Sequence, residues 1–208
     1  LVHRPMKILA LSDQVVDYVY SPAVRQRFPA VDLILGCGDL PAYYLEYIEC
    51  QFNVPLLYVP GNHDPDQFGV PGGQDIDGRF VRVHNLALTG LGGSRRYKAV
   101  GRHQYSEADM RLRLIPVLPR LLWRRLRYGH GADILVTHAP PKGIQDGPDL
   151  AHTGFETLRR LIRLVRPRLL VHGHVHLYSG KETRETRLDG TRILNVYPVQ
   201  LIDLETVP

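Results

Sequence analysis

Five short apolar runs, at residues 8–11, 31–35, 54–59, 134–136 and 169–171, each lead into a turn rich in Gly, Asp, Asn or His. The turns are Ser12-Asp13, Gly38-Asp39, Gly61-Asn62-His63-Asp64, Thr137-His138-Ala139-Pro140 and Gly173-His174, the last continuing to Val175-His176. Continuous runs this short read as strands buried on both faces of a sheet. Groups at the ends of neighbouring strands in an α/β fold can converge on one point. Asp, Asn and His bind hard or borderline divalent cations, and a carboxylate has two oxygens with which to bridge a pair of them. The pattern therefore predicts an α/β protein with a metal site at its strand ends.

The intervening segments fit that frame. A short helix can start at Pro22, a residue favoured at a first helical position. A second helix is expected over residues 41–51, which completes a βαβ rhythm and implies a largely parallel sheet with right-handed crossovers. The loop at residues 69–78, rich in Gly, Pro and Asp, breaks the pattern. Residues 79–84 and 86–91 read as a hairpin around His84-Asn85 in a second sheet. Residues 106–127 read as one helix, opened by a capping box of Ser106 and Asp109 and kinked or split by Pro116 and Pro119. Its apolar face would be Leu112, Ile115, Leu118, Leu121, Leu122 and Leu126, with six arginines opposite. A helix over 155–165 ends before Pro167. The tail reads as antiparallel strands at 182–188, 192–196 and 199–204, with a turn at Asp189-Gly190. One domain, residues 6–205, accommodates all of this.

The chain's 208 residues are enough to bury a substantial core. No apolar stretch approaches the ~20 residues that span a bilayer. Residues 1–5 lack the apolar core of an export signal, and Met6 reads as a candidate natural start. The two cysteines, Cys37 and Cys50, form neither a disulfide framework nor a zinc spacing. A cytoplasmic location is the expectation. The net charge is +5, and only four of the 26 basic residues are lysines. Arginine suits phosphate oxygens, but a charged surface is the simpler account. The arginine run of residues 111–127 is read as a solvated helix face rather than a nucleic-acid footprint, because stacking aromatics are scarce there. Neither a membrane nor nucleic acid is an expected partner, and a small phosphorylated substrate such as a nucleotide is compatible with the arginines.

Taken in order, GD, GNHD, TH and GHVH resemble the motifs of the calcineurin-like metallophosphoesterases. The resemblance runs from Lys7 to about Leu204. Leu91-Gly92-Gly93-Ser94-Arg95 and Thr137-His138-Ala139-Pro140-Pro141 are similar to bacterial phosphoesterases of that superfamily. The run from Arg166 to His176 is similar to its animal metallophosphoesterase-domain proteins. The resemblance implies a four-layer α/β/β/α sandwich of two mixed sheets, holding two divalent ions such as Mn2+, Fe, Zn2+ or Mg2+. It further implies that Asp39 bridges the ions, that Asn62, His138 and His174 complete one shell, and that Asp13 and His176 serve the other. His63 would aid the leaving group and Asp64 would orient it. The implied reaction is phosphoester hydrolysis by metal-activated water, on a phosphodiester by preference. The physical chemistry agrees: two cations ~3.5–4 Å apart acidify a shared water and clamp phosphoryl oxygens.

One departure stands out. The superfamily's first motif is Asp-x-His, and here it reads Asp13-Gln14-Val15. Valine cannot ligate, so the first site is expected to be weaker. The alternative function is a weakly active or inactive nucleotide- or protein-binding module on the same fold. Gln14 and Asp17 are candidate substitutes, Asp17 the better ligand chemically. Arg95 and Arg96 are candidate phosphate contacts, with solvated loop residues as the simpler reading.

Overall fold

The computed structural model describes residues 4–178 and 182–205. Strand β1 (Met6–Leu11) shows how short runs build the interior. Its side chains alternate, so Ile8 and Ala10 enter one apolar cluster while Leu9 and Leu11 enter another, all fully buried. A short α1 (Val24–Arg27) leads to β2 (Leu33–Gly36), then α2 (Ala42–Phe52), β3 (Leu56–Tyr58) and β4 (Gly73–Asp75). The four strands pair in parallel in that order. β4 falls inside the segment expected to be loop. It pairs at the sheet edge with β3 through Gln74 opposite Leu57, a long-range contact with no local apolar signal.

The hairpin is as expected: β5 (Phe80–Val83) and β6 (Leu86–Leu91) are antiparallel around His84-Asn85, both at positive φ. A minor pair, β7 (Ser94–Arg95) and β8 (Gln104–Tyr105), precedes the helices. The helix expected over 106–127 is two. α3 (Glu107–Leu114) carries the predicted capping box at Ser106 and Asp109, and α4 (Leu118–Tyr128) restarts with Pro119 in its first turn. Pro116 lies in the break, where the missing N–H and the ring end one helix before the next begins. The expected apolar face is divided as well: Leu121 is buried and Leu118 and Leu122 pack against the core, whereas Leu112, Ile115 and Leu126 point outward.

β9 (Ile134–Thr137), α5 (Glu156–Val165), β10 (Leu169–His172), β11 (Glu185–Leu188), β12 (Thr191–Asn195) and β13 (Val199–Leu204) complete the chain. The second sheet runs β11-β12-β10-β9-β6-β5, and β13 returns to pair antiparallel with β1 in the first. The tail is therefore not uniformly antiparallel, since β12 lies parallel to β10. Both sheets are mixed. They face each other through one cluster that includes Ile8, Leu35, Val59, Leu88, Val136 and Val171. α1 and α2 cover the outer face of the first sheet, and α3, α4 and α5 that of the second. This is the α/β/β/α sandwich. Truncating a fully buried Leu at either sheet would cost about 2–5 kcal/mol. The C-terminal ends of β1, β2, β3, β9 and β10 meet at one end of this stack, where the ligand-rich turns follow.

Candidate metal centre

Three of the expected ligand residues sit in left-handed backbone: Asp13 at φ 63°, Asp39 at φ 56° and His174 at φ 65°. A non-glycine residue there is uncommon and persists only where its surroundings over-determine it. The turns are over-determined by close contact. A Cβ on Gly61 would collide with Asp39 Oδ1, and one on Gly173 with Asp13 Oδ2. Two motif glycines thus leave room for a neighbouring motif's carboxylate.

The side chains converge. One ligating atom from each of Asp39, His138 and His174 lies within 4.8 Å of the others. Asn62 Oδ1 lies 3.1 Å from His138 Nε2, which is itself 3.3 Å from Asp39 Oδ2. Asp13 joins from the other side. It accepts from the His174 backbone N–H at 2.9 Å, and its Oδ1 is 3.7 Å from His176 Nε2.

Hydrogen bonds outside the cluster fix which atoms face inward. His138 Nδ1 is 2.8 Å from the Cys37 carbonyl, so that nitrogen carries the proton and Nε2 turns inward. His174 Nε2 is 2.7 Å from the Ala151 carbonyl, which leaves Nδ1 for the centre. Asn62 Nδ2 donates to the Tyr97 hydroxyl, which orients Oδ1 toward His138. Ligating atoms of Asp39, Asn62, His138 and His174 therefore face one another. The cluster needs positive charge among its oxygens, which a proton on His138 Nε2 or a cation can supply, and oxygen with imidazole nitrogen is a donor set that divalent Mn, Fe, Zn or Mg accepts.

The titration behaviour has the same cause. Burial opposes charge on His138, but Asp39 and Asp13 outweigh it and push its pKa up to about 9. Burial likewise opposes ionisation of Asp39, and His138 overrides it to bring Asp39 down to about 2. His174, buried beside a charged His138, is held down to about 4. Ser12 Oγ is buried next to Asp13 with no hydrogen-bond partner among the described residues. Residues and group fit.

At the rim, His63 is exposed, and its backbone N–H donates to Asp39 Oδ1 at 2.7 Å. With Asp39, Pro41, Asp64 and Phe68 it lines a cleft of about 510 Å3. Asp64 is nearly buried, and both hydrogen bonds it accepts come from backbone, Gly61 N at 2.7 Å and Asp39 N at 2.9 Å. It ties two ligand turns together. Val15, where the superfamily motif has His, packs against the apolar cluster beneath the first sheet. Gln14 accepts a hydrogen bond from the Tyr197 hydroxyl, whose ring stacks 4.3 Å from that of His176. Asp17 is exposed. Arg95 is half-buried and ion-paired with Glu107, whereas Arg96 is exposed, as the solvated-loop reading expects, and pairs with Asp109 at the surface. Sequence reading missed His152, whose ring lies 5.2 Å from that of His174 and whose Nδ1 is held by Asp149. It missed Tyr97 too. Both reach the centre through loops whose path no local pattern encodes.

Two facing sheets with a cluster of carboxylate, amide and imidazole groups at their strand ends define the class of α/β-sandwich proteins with a divalent-cation site. The Metallophos family model, calcineurin-like phosphoesterase, matches residues 6–178. The chain belongs to that family, which implies a metal-binding phosphoesterase. An uncharacterized protein of Methanocaldococcus jannaschii is 27% identical over 190 residues, spanning 82% of this chain and 80% of its own length. The crystal structure of TT1561 of Thermus thermophilus shares the fold at a TM-score of 0.65 and 16% identity, covering 97% of this chain and all of that one. Among the described residues no helix is long and apolar enough to cross a membrane.

Proposed function

We propose that this protein hydrolyses phosphoesters, phosphodiesters by preference, at the cleft that His63 and Asp39 line beside the cation site. The observation that carries the reading is the inward turn of acceptor atoms from Asp39, Asn62, His138 and His174 at adjoining strand ends. These four would hold one divalent ion, and Asp13, Asp39 and His176 a second. Bound ions of this kind supply an activated water and charge stabilisation for the phosphoryl oxygens. The protein's own part is orientation and proton handling. The Cys37 and Ala151 carbonyls set the imidazole tautomers, and Asp64 holds two ligand turns in register. His63 stands exposed beside Asp39, where its ring can give a proton to the departing alkoxide. Pro41 and Phe68 offer an apolar wall to the rest of a small phosphorylated substrate such as a nucleotide.

The test is hydrolysis of bis(p-nitrophenyl) phosphate against p-nitrophenyl phosphate with manganese. His63→Ala should lower turnover of the diester about 10²–10⁴-fold with metal content unchanged. Absence of turnover with every divalent metal overturns the reading. The packing of half-buried Val15 against the core favours a second reading, a binding module that holds one ion tightly and binds nucleotide without cleaving it. One ion per chain together with no hydrolysis would select it.

A further inference from the structure

We propose that the outer face of α4 docks the protein on an anionic lipid surface. The face is unusual in what it exposes. On α4 Leu126 is 88% exposed and Trp123 60%, and Leu112 and Ile115, 63% exposed each, lie just before it in α3 and the link. α4 stays on the protein through Leu121, Leu118 and Leu122, so the residues that point away form a second, outward apolar strip. At ~100° per residue, Leu126, Pro119 and Trp123 share an arc of α4, and Arg127 and Arg120 occupy the arc beside it.

The charge carried by this stretch of chain has one sign. Between Asp109 and Asp133 the chain has six arginines and no acidic residue. Arg113 and Arg124 are taken up by Asp77 and Asp133. Arg111, Arg120, Arg125 and Arg127 have no carboxylate partner among the described residues. Arg125 donates to the Gly129 carbonyl, and Arg120 and Arg127 lie over the rings of Phe80 and Tyr128.

A lipid headgroup layer matches both halves of this surface. Trp, Tyr and Leu enter the interface beneath the headgroups, while arginines on the same face meet anionic phosphates. Other occupants match one half only. Nucleic acid would neutralise the arginines but gains nothing from exposed Leu126. A second copy meeting this face about a two-fold axis would set arginine against arginine. The sequence expectation of no membrane rested on the lack of a spanning segment, whereas this helix would lie in the plane of the surface. α4 ends where the chain turns toward the start of β9, and the cation site follows that strand's other end, so docking leaves the cleft open.

Trp123 is the sole tryptophan of the chain, so its emission reports on this face alone. The intact protein is mixed with phosphatidylcholine vesicles with and without about one third phosphatidylglycerol. Co-sedimentation with the anionic vesicles and a blue shift of emission are expected, both weakened by salt. Leu126→Ser should weaken binding about tenfold, and Arg120→Gln with Arg127→Gln about fivefold per arginine. These side chains are exposed or half-exposed, so circular dichroism should be unchanged. Equal binding to neutral vesicles, or none to anionic ones, overturns the proposal. So does a blue-shifted emission without lipid in a protein that elutes as a dimer, or a shift produced by duplex DNA but not by vesicles.

Discussion

Asp64→Ala removes an acceptor that two ligand turns share. Its Oδ2 receives Gly61 N–H at 2.7 Å and Asp39 N–H at 2.9 Å, and the side chain is only 5% exposed, so water has little access to replace it. A buried donor left unpaired costs about 1–3 kcal/mol, so the two donors together set a loss of about 2–6 kcal/mol. Part is offset, because burial already disfavours the ionised carboxylate and raises its pKa. The lower half of that range is expected, about 2–4 kcal/mol, which for a chain of this size lowers Tm by roughly 4 °C or more. Asp64→Asn keeps an amide oxygen for the same donors and should stay within about 1 kcal/mol of the parent protein. Urea unfolding of the three proteins measures the difference, and manganese content measured alongside should fall in the alanine variant. If Asp64→Ala is as stable as the parent to within about 0.5 kcal/mol, the clasp is not structural. If Asp64→Asn is stable yet loses turnover as fully as His63→Ala, the carboxylate acts on His63, as the family resemblance implies.

Gly173→Ala places a methyl against Asp13 Oδ2 and Ser12, and should cost about 1–3 kcal/mol while weakening the Asp13–His176 side of the centre; unchanged manganese titration would contradict this. Burial opposes the charge on Glu107, but the Thr157 hydroxyl, the first N–H groups of α5 and Arg95 outweigh it, so its pKa is lowered from 4.5. Its contribution is therefore complete above the unfolded value and lost as pH falls through the lower folded one. Glu107→Gln should destabilise by about 1–3 kcal/mol at neutral pH and converge with the parent in acid, and a gap that persists to low pH in chemical unfolding would refute the sign. Val15→His returns an imidazole to the first motif and should raise bound manganese toward two per chain by elemental analysis; an unchanged stoichiometry would locate the weakness elsewhere.

Much of the fold was legible because its information is local. Buried parallel strands read as continuous apolar runs, and the His84-Asn85 turn carries residues that tolerate positive φ. The ligand turns were legible for the same reason, each being a short word at a strand end. What escaped depends on distance along the chain. Arg95 looked free until Glu107 came into contact with it, and that carboxylate also caps α5 through Glu156 and Thr157. The helical period of residues 106–127 suggested one inward stripe, but α3 buries Met110 and Leu114 and leaves Leu112 and Ile115 outward, and after the break at Pro116 α4 turns Leu118, Leu121 and Leu122 inward and leaves Leu126 out. Asp64 sits beside His63 in sequence, yet its bonds go to backbone at Gly61 and Asp39.

The left-handed residues at positions 13, 39 and 174 have an outcome for the way a cation is acquired. Those torsions are imposed by sheets and glycine contacts far larger than the ligand shell, so they persist whether or not an ion has arrived. Capture then requires little rearrangement of the chain, and the free energy of association is not spent on ordering loops. Stripping the centre with a chelator should leave unfolding nearly as cooperative as before, and ions of a radius unsuited to that rigid frame would be turned away by geometry more than by charge.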